Sequence, residues 1–151
     1  MPSQATNYFY TIVCMGVIAL MVTNAFKTQV VGLKTTSERE ELKRILEAVA
    51  SEATELIAFS KATNVTSQVS IHTPSLIGYR RYWVRLQSDG SGAWVEGAFG
   101  DPWEGNPDLK FELPEDVTIS GTYRGGYGTL TLNCTTQGEE PSLILGRWKG
   151  G

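Results

Sequence analysis

Histidine occurs once and cysteine twice in this chain of 151 residues. That scarcity removes most of the material for a metal cage or an imidazole-based catalytic centre. Basic residues are not in excess either: 13 Lys and Arg stand against 16 Asp and Glu, for a formal net charge of −3. A nucleic-acid footprint needs clustered Lys and Arg, and this balance excludes one. With 16 Gly and 6 Pro the chain has neither the repeat of a collagen nor the bias of a low-complexity segment. The most informative absence is local. Met1 to Phe26 contain no Asp, Glu, Lys, Arg or His.

Within that stretch, Tyr8 to Phe26 reads YFYTIVCMGVIALMVTNAF. As a helix rising 1.5 Å per residue it spans roughly 28 Å, about the hydrocarbon thickness of a bilayer. Thr11 and Thr23 can bond back to their own helix, and Asn24 lies near its end. Tyr8, Phe9 and Tyr10 sit where an interfacial aromatic belt forms, and Lys27 closes the apolar run. A soluble core helix shows a polar face every 3.6 residues, which this one lacks. The pattern predicts a helix in a membrane or a helix bundle. No basic residue precedes the run, and Thr23-Asn24-Ala25 is a poor cleavage site, so a retained anchor is expected rather than a removed signal peptide.

Orientation receives two opposed signals. Lys27 and Lys34 follow the apolar run and none precede it, which by the positive-inside rule places the remainder in the cytoplasm. Against this stand two glycosylation sequons, Asn64-Val65-Thr66 and Asn133-Cys134-Thr135, and a Gly- and aromatic-rich β composition common in surface modules. The expectation adopted is an external globular part.

From Thr36 to Lys61 the periodicity changes. Leu42, Ile45, Leu46, Val49, Ala53, Leu56, Ile57 and Ser60 trace one helical face, with glutamates and Lys43 on the others. Ser37 and Glu40 have capping-box spacing, so a new helix can start there. The alternative is one helix from Tyr8 to about Lys61 with Gly32 as its softest point. The stripe reads as a core face, because a β domain of this size needs extra core.

After Lys61, short Val, Ile, Tyr, Trp and Thr runs alternate with Gly, Pro, Asp and Asn. Seven strands are predicted, over 68–72, 82–87, 94–98, 110–113, 117–121, 129–134 and 143–148. Asp89-Gly90 and Gly125-Gly126 mark turns. The fold expected is α+β: a long amino-terminal apolar helix (1–35), an amphipathic helix (36–61), then a small antiparallel β-sandwich or curved sheet (62–151).

Little of this carries chemistry. His72 stands at a predicted strand end, and no nucleophile pattern surrounds the nearby Ser75. Cys14 lies in the apolar run and Cys134 in a strand, so each reads as a small apolar residue. The stretch Asp89 to Asp108 interleaves Asp89, Glu96, Asp101, Glu104 and Asp108 with glycines and with Trp94, Phe99 and Trp103. Its acids lack the spacing of a calcium loop. Two readings stay open for its aromatics: burial in one or two long hairpins, or exposure for stacking on sugars or a neighbouring subunit. Arg80-Arg81 reads as a strand start rather than an anion site. No catalytic residue, cofactor or metal ligand is assigned, and enzymatic activity is not expected.

The order VASEATELIAFSKATNVTSQVSIHTP, then YRRYWVRL, then GTLTLNCTTQ resembles the archaeal branch of the type IV pilin-like superfamily. That branch holds archaellins, adhesive pilins and membrane-anchored accessory or stator proteins of the archaellum. The resemblance implies a structural subunit of a surface filament or its accessory apparatus. Its helix would pack on copies of itself or on other pilin-like subunits through small residues such as Gly16, Ala19 and Ala25. The β domain would face outward, towards a surface layer or glycans. The leader MPSQATN lacks the basic residues of archaeal class III signal peptides, which an anchored accessory protein tolerates. A membrane-tethered β binding module, or an accessory subunit of a membrane complex, is the rival expectation.

Overall fold

The computed structural model describes residues 2–102, 106–114, 116–136, 138 and 140–147. Its first element, α1, is one α-helix, Pro2–Thr63. The chain divides into two compact units, Met1–Ser37 and Glu38–Gly151.

In the amino-terminal unit every described side chain from Ser3 to Ser37 is exposed. Several threonine hydroxyls bond within the helix. Thr11 Oγ1 donates to the Asn7 carbonyl and Thr23 Oγ1 to that of Ala19, each at 2.8 Å. The capping box does not operate, because the helix continues through Ser37. Thr35 and Thr36 turn their hydroxyls back to the Gly32 carbonyl, at 2.9 and 3.0 Å.

In the carboxy-terminal unit the helix presents its apolar stripe to a core. Leu42, Leu46, Val49, Ala53 and Ser60 are fully buried, and Leu56 and Ile57 nearly so. The helix ends in a left-handed residue, Asn64 (φ 53°), whose N–H donates to the Ser60 carbonyl at 2.9 Å. Among the described residues eight strands follow: β1 Ser67–His72, β2 Tyr82–Asp89, β3 Gly92–Phe99, β4 Leu109–Leu113, β5 Thr118–Ser120, β6 Thr122–Arg124, β7 Thr129–Thr136 and β8 Pro141–Arg147. They form two four-stranded sheets, ordered β1-β7-β8-β5 and β4-β3-β2-β6. All pairings are antiparallel except β5 with β8. One core joins the helix stripe to Leu130, Leu132, Leu143 and Leu145 of the first sheet and to Tyr82, Val84, Leu86 and Val95 of the second. The fold is therefore α+β, as the patterning predicts.

Two glycines shape the packing. A Cβ at Gly97 would lie 3.0 Å from a Leu46 methyl and 2.7 Å from the Trp83 carbonyl oxygen, so the helix rests directly on this bare stretch of β3. Gly121 moves the chain from one sheet to the other. The predicted strand 117–121 ends at Ser120, and Gly121 adopts φ 123° before β6, a strand the sequence pattern does not show. Trp148, expected in the last strand, lies outside the described residues.

A Cβ at Gly121 would sit 2.1 Å from the Leu145 carbonyl oxygen. Gly121→Ala therefore combines left-handed strain with overpacking, and a loss of upwards of about 3 kcal/mol is expected. Denaturant unfolding of the full chain in detergent measures it. A midpoint matching the parent would refute this account of the crossover.

Candidate interaction surfaces

The amino-terminal unit holds the first candidate surface. It contains one stretch long and apolar enough to cross a membrane, with none of that stretch buried. Gly16 and Ala19 lie about 60° apart around the helix, which places them on one face. Ala25 is nine residues from Gly16, roughly 180° round, so it belongs to the opposite face. A Cβ at Gly16 would meet nothing within 4 Å, so the chain's own packing does not require a glycine there.

The stretch Asp89–Asp108 becomes β3 with a hairpin on either side. Its acids are dispersed. Asp89 ends β2 and accepts bonds from Ser91 Oγ at 2.6 Å and Ser91 N at 2.9 Å. Those two donations, the hydroxyl first, hold its carboxyl below the usual aspartate range. Asp101 lies 3.9 Å from Arg124, and Asp108 is exposed. Glu104 and Trp103 lie outside the described residues. Trp94 and Phe99 do not share a platform, because strand residues five apart point to opposite faces. Phe99 packs against the core with the Arg80 guanidinium 4.3 Å from its ring centre. Arg80 is also 4.0 Å from Glu38, a carboxylate buried at the start of the helix stripe.

Trp94 stands on the outer face of the second sheet in a closed polar cluster. Its indole N–H donates to Glu96 Oε2 at 2.9 Å, and Lys110 Nζ lies 3.7 Å above its ring. The other oxygen, Glu96 Oε1, accepts Arg85 Nε at 2.7 Å and also Arg85 Nη2. Arg85 in turn lies 5.0 Å from the ring centre of Trp83, which is fully buried although it points away from the main core. The sequence alternation Trp83/Arg85/Gln87 signals only a half-buried strand. The charge pairing depends on the β2–β3 register, which sets Arg85 opposite Glu96.

The outer face of the first sheet is different in kind. Register and alternation place Gln68, Ser70 and His72 of β1 beside Thr129, Thr131 and Asn133 of β7, and Ser142 and Ile144 of β8 beside Thr118 and Ser120 of β5. His72 is the one ionisable side chain among these. His72 is exposed at the end of β1, with no nucleophile hydrogen-bonded to it among the described residues, and Ser75 is exposed. The neighbouring hydroxyl network goes unseen in the sequence, because its partners are far apart along the chain. Tyr123 Oη lies 2.9 Å from Thr73 Oγ1, which donates to the Gly128 carbonyl at 2.9 Å. Tyr82 Oη donates to the Pro74 carbonyl at 2.6 Å, and burial pushes this phenol up to about 12. Both cysteines are free, Cys14 exposed on the helix and Cys134 buried in β7.

The two sequons occupy unlike sites. Asn64 is exposed in the left-handed turn that ends α1, followed by exposed Val65 and Thr66. Asn133 is exposed too, but in mid-strand, between Gln68 of β1 and Ile144 of β8. A polar cleft of about 440 Å³ lies at the β2–β3 turn, where Asp89, Asp116 and Glu140 face it and no His, Cys, Lys or Arg does among the described residues. No family model, no curated protein and no solved structure matches this chain.

Glu96 is 4% exposed and the Arg85 side chain 27%, so removing the arginine strands a buried carboxylate. Arg85→Ala is expected to cost about 3 kcal/mol. In a thermal-unfolding double-mutant cycle with Glu96→Ala, the double variant should lose at least about 1 kcal/mol less than the two singles together. Additive losses would mean that the pair is not coupled.

Proposed function

We propose that the chain is a non-enzymatic, pilin-like structural subunit of an archaeal surface filament or of its accessory apparatus, assembling through α1 with the β unit outward. One observation carries this reading. The charge-free run Tyr8–Phe26 exposes large side chains such as Phe9, Ile12, Met15, Ile18, Leu20 and Met21, while the carboxy-terminal unit closes a core of its own. Exposed apolar surface costs roughly 25 cal/mol per Å² in water, so this run calls for lipid or neighbouring helices. Self-satisfied threonine hydroxyls suit either surrounding. Gly16 and Ala19 offer a face on which a second helix approaches closely. A structural role also fits the site chemistry. The buried Glu96 is committed to Arg85 and Trp94, and His72 has no catalytic partner among the described residues.

Gly16→Leu and Ala19→Leu keep the segment apolar, so partition into detergent and membranes should be unchanged. Each adds about 1–3 kcal/mol of overpacking wherever another helix is seated. Filaments in negative-stain images of sheared cell-surface material, or the co-purifying partner, should be lost. Unaltered assembly in both variants would favour the rival reading, a single-pass tethered β module, because lipid adapts to a leucine without strain.

External placement has its own check. In a glycosylating archaeal host, intact mass should exceed the sequence mass, and Asn64→Gln or Asn133→Gln should each remove part of the excess, since both asparagines are exposed. An unmodified mass in such a host would support the cytoplasmic placement that Lys27 and Lys34 suggest.

A further inference from the structure

Three of the four sheet edges are guarded against pairing with another chain, and the fourth is not. β5 and β6 have only three residues each. β4 carries Lys110 and Glu112 on its outer face and runs into Pro114. Short length, charge and proline are the means by which natural sheets blunt an edge. β1 has none of them. Its six residues, Ser67–His72, include no Lys, Arg, Asp, Glu or Pro, and among the described residues it pairs on one side only, with β7. Its core-side residues Ser67, Val69 and Ile71 remain only half-buried.

Beside this edge runs a groove of about 430 Å³, walled by Glu52, Glu55, Leu56 and Phe59 of α1 and by β1 from Ser67 to Val69. Leu56 forms an apolar floor, and Phe59 is 54% exposed at the rim. A free strand edge beside a helix-walled groove is the setting in which extended peptides add to a sheet. The backbone would supply affinity, and alternate side chains would enter the groove.

Charge selects the occupant. The charged groups lining the groove are the carboxylates of Glu52 and Glu55. β1 contains no Lys or Arg, so pairing two copies edge to edge would leave those carboxylates without a counter-charge from either strand. We propose that the β1 edge binds an extended segment of another protein whose groove-facing residues alternate between apolar and Lys or Arg. Small polar residues on its opposite side would continue the hydroxyl- and amide-rich outer face of the sheet. The inference concerns the carboxy-terminal unit alone and stands apart from the role of α1.

The test uses the full chain in detergent micelles and a fluorescein-labelled octapeptide, threonine-valine-threonine-lysine repeated twice. Saturable anisotropy and hydrogen-exchange protection of the Ser67–His72 amides are expected. N-methylation of every second peptide amide should abolish binding in one frame and be tolerated in the other, because only one edge of a strand meets β1. Glu52→Lys with Glu55→Lys should weaken binding by about tenfold while leaving circular dichroism unchanged. Absence of binding, equal binding of both methylated frames and the parent peptide, or indifference to the charge reversal would each overturn the proposal. So would concentration-dependent protection of Ser67–His72 without peptide, which would identify a second copy as the occupant.

Discussion

The carboxy-terminal unit depends on one stripe of α1. Leu42, Leu46, Val49, Ala53 and Ile57 recur every three or four residues and are at most 2% exposed. Burying a leucine or valine side chain contributes about 1.5–3 kcal/mol, and these contacts reach residues of both sheets. Eight strands of three to eight residues would otherwise hold little apolar area between them. The latter half of the helix is thus a structural member of the β unit rather than a stalk leading to it. Gly97 shows how close the contact is, since a methyl group there would press on Leu46.

The two outer faces make different use of polar residues. On the second sheet, charges neutralise one another across the β2–β3 ladder and over indole rings. Glu96 is buried because Arg85 and Trp94 together satisfy both of its oxygens. On the first sheet, short hydroxyl and amide side chains predominate, with His72 the one ionisable group among the positions named. Contact on such a face depends mainly on shape and local hydrogen bonding. The free edge of β1 borders this quiet face and the acidic wall of the helix, so chemistry of contrasting character meets along one strand.

Much of the architecture was legible in residue spacing. Period 3.6 along Leu42–Ser60 marks a helix face, and period two along Val69/Ile71 and Leu130/Leu132/Cys134 marks strands, because each pattern needs only neighbours in the chain. The capping signal at Ser37 had no consequence, since the helix is continuous there and its N–H groups already have helical partners. β6 escaped notice because it depends on a backbone angle at Gly121 rather than on side-chain alternation. The aromatics of the Gly-rich stretch were visible as a group, yet register separates them: Trp94 lies outward beneath Lys110, and Phe99 turns towards the core beneath Arg80.

Local periodicity and composition suffice for the α+β class, the charge-free run Tyr8–Phe26, the buried stripe and seven of the strands. Which charges meet and which strand is left at an edge depend instead on the assembled fold. Arg85 and Glu96 are eleven residues apart, and Thr73 and Tyr123 fifty, so no local pattern pairs them. Strand order is a property of the assembled sheet. β1 reads much like its neighbours in the chain, and it becomes an open edge because β7 takes one side and nothing in the described fold takes the other.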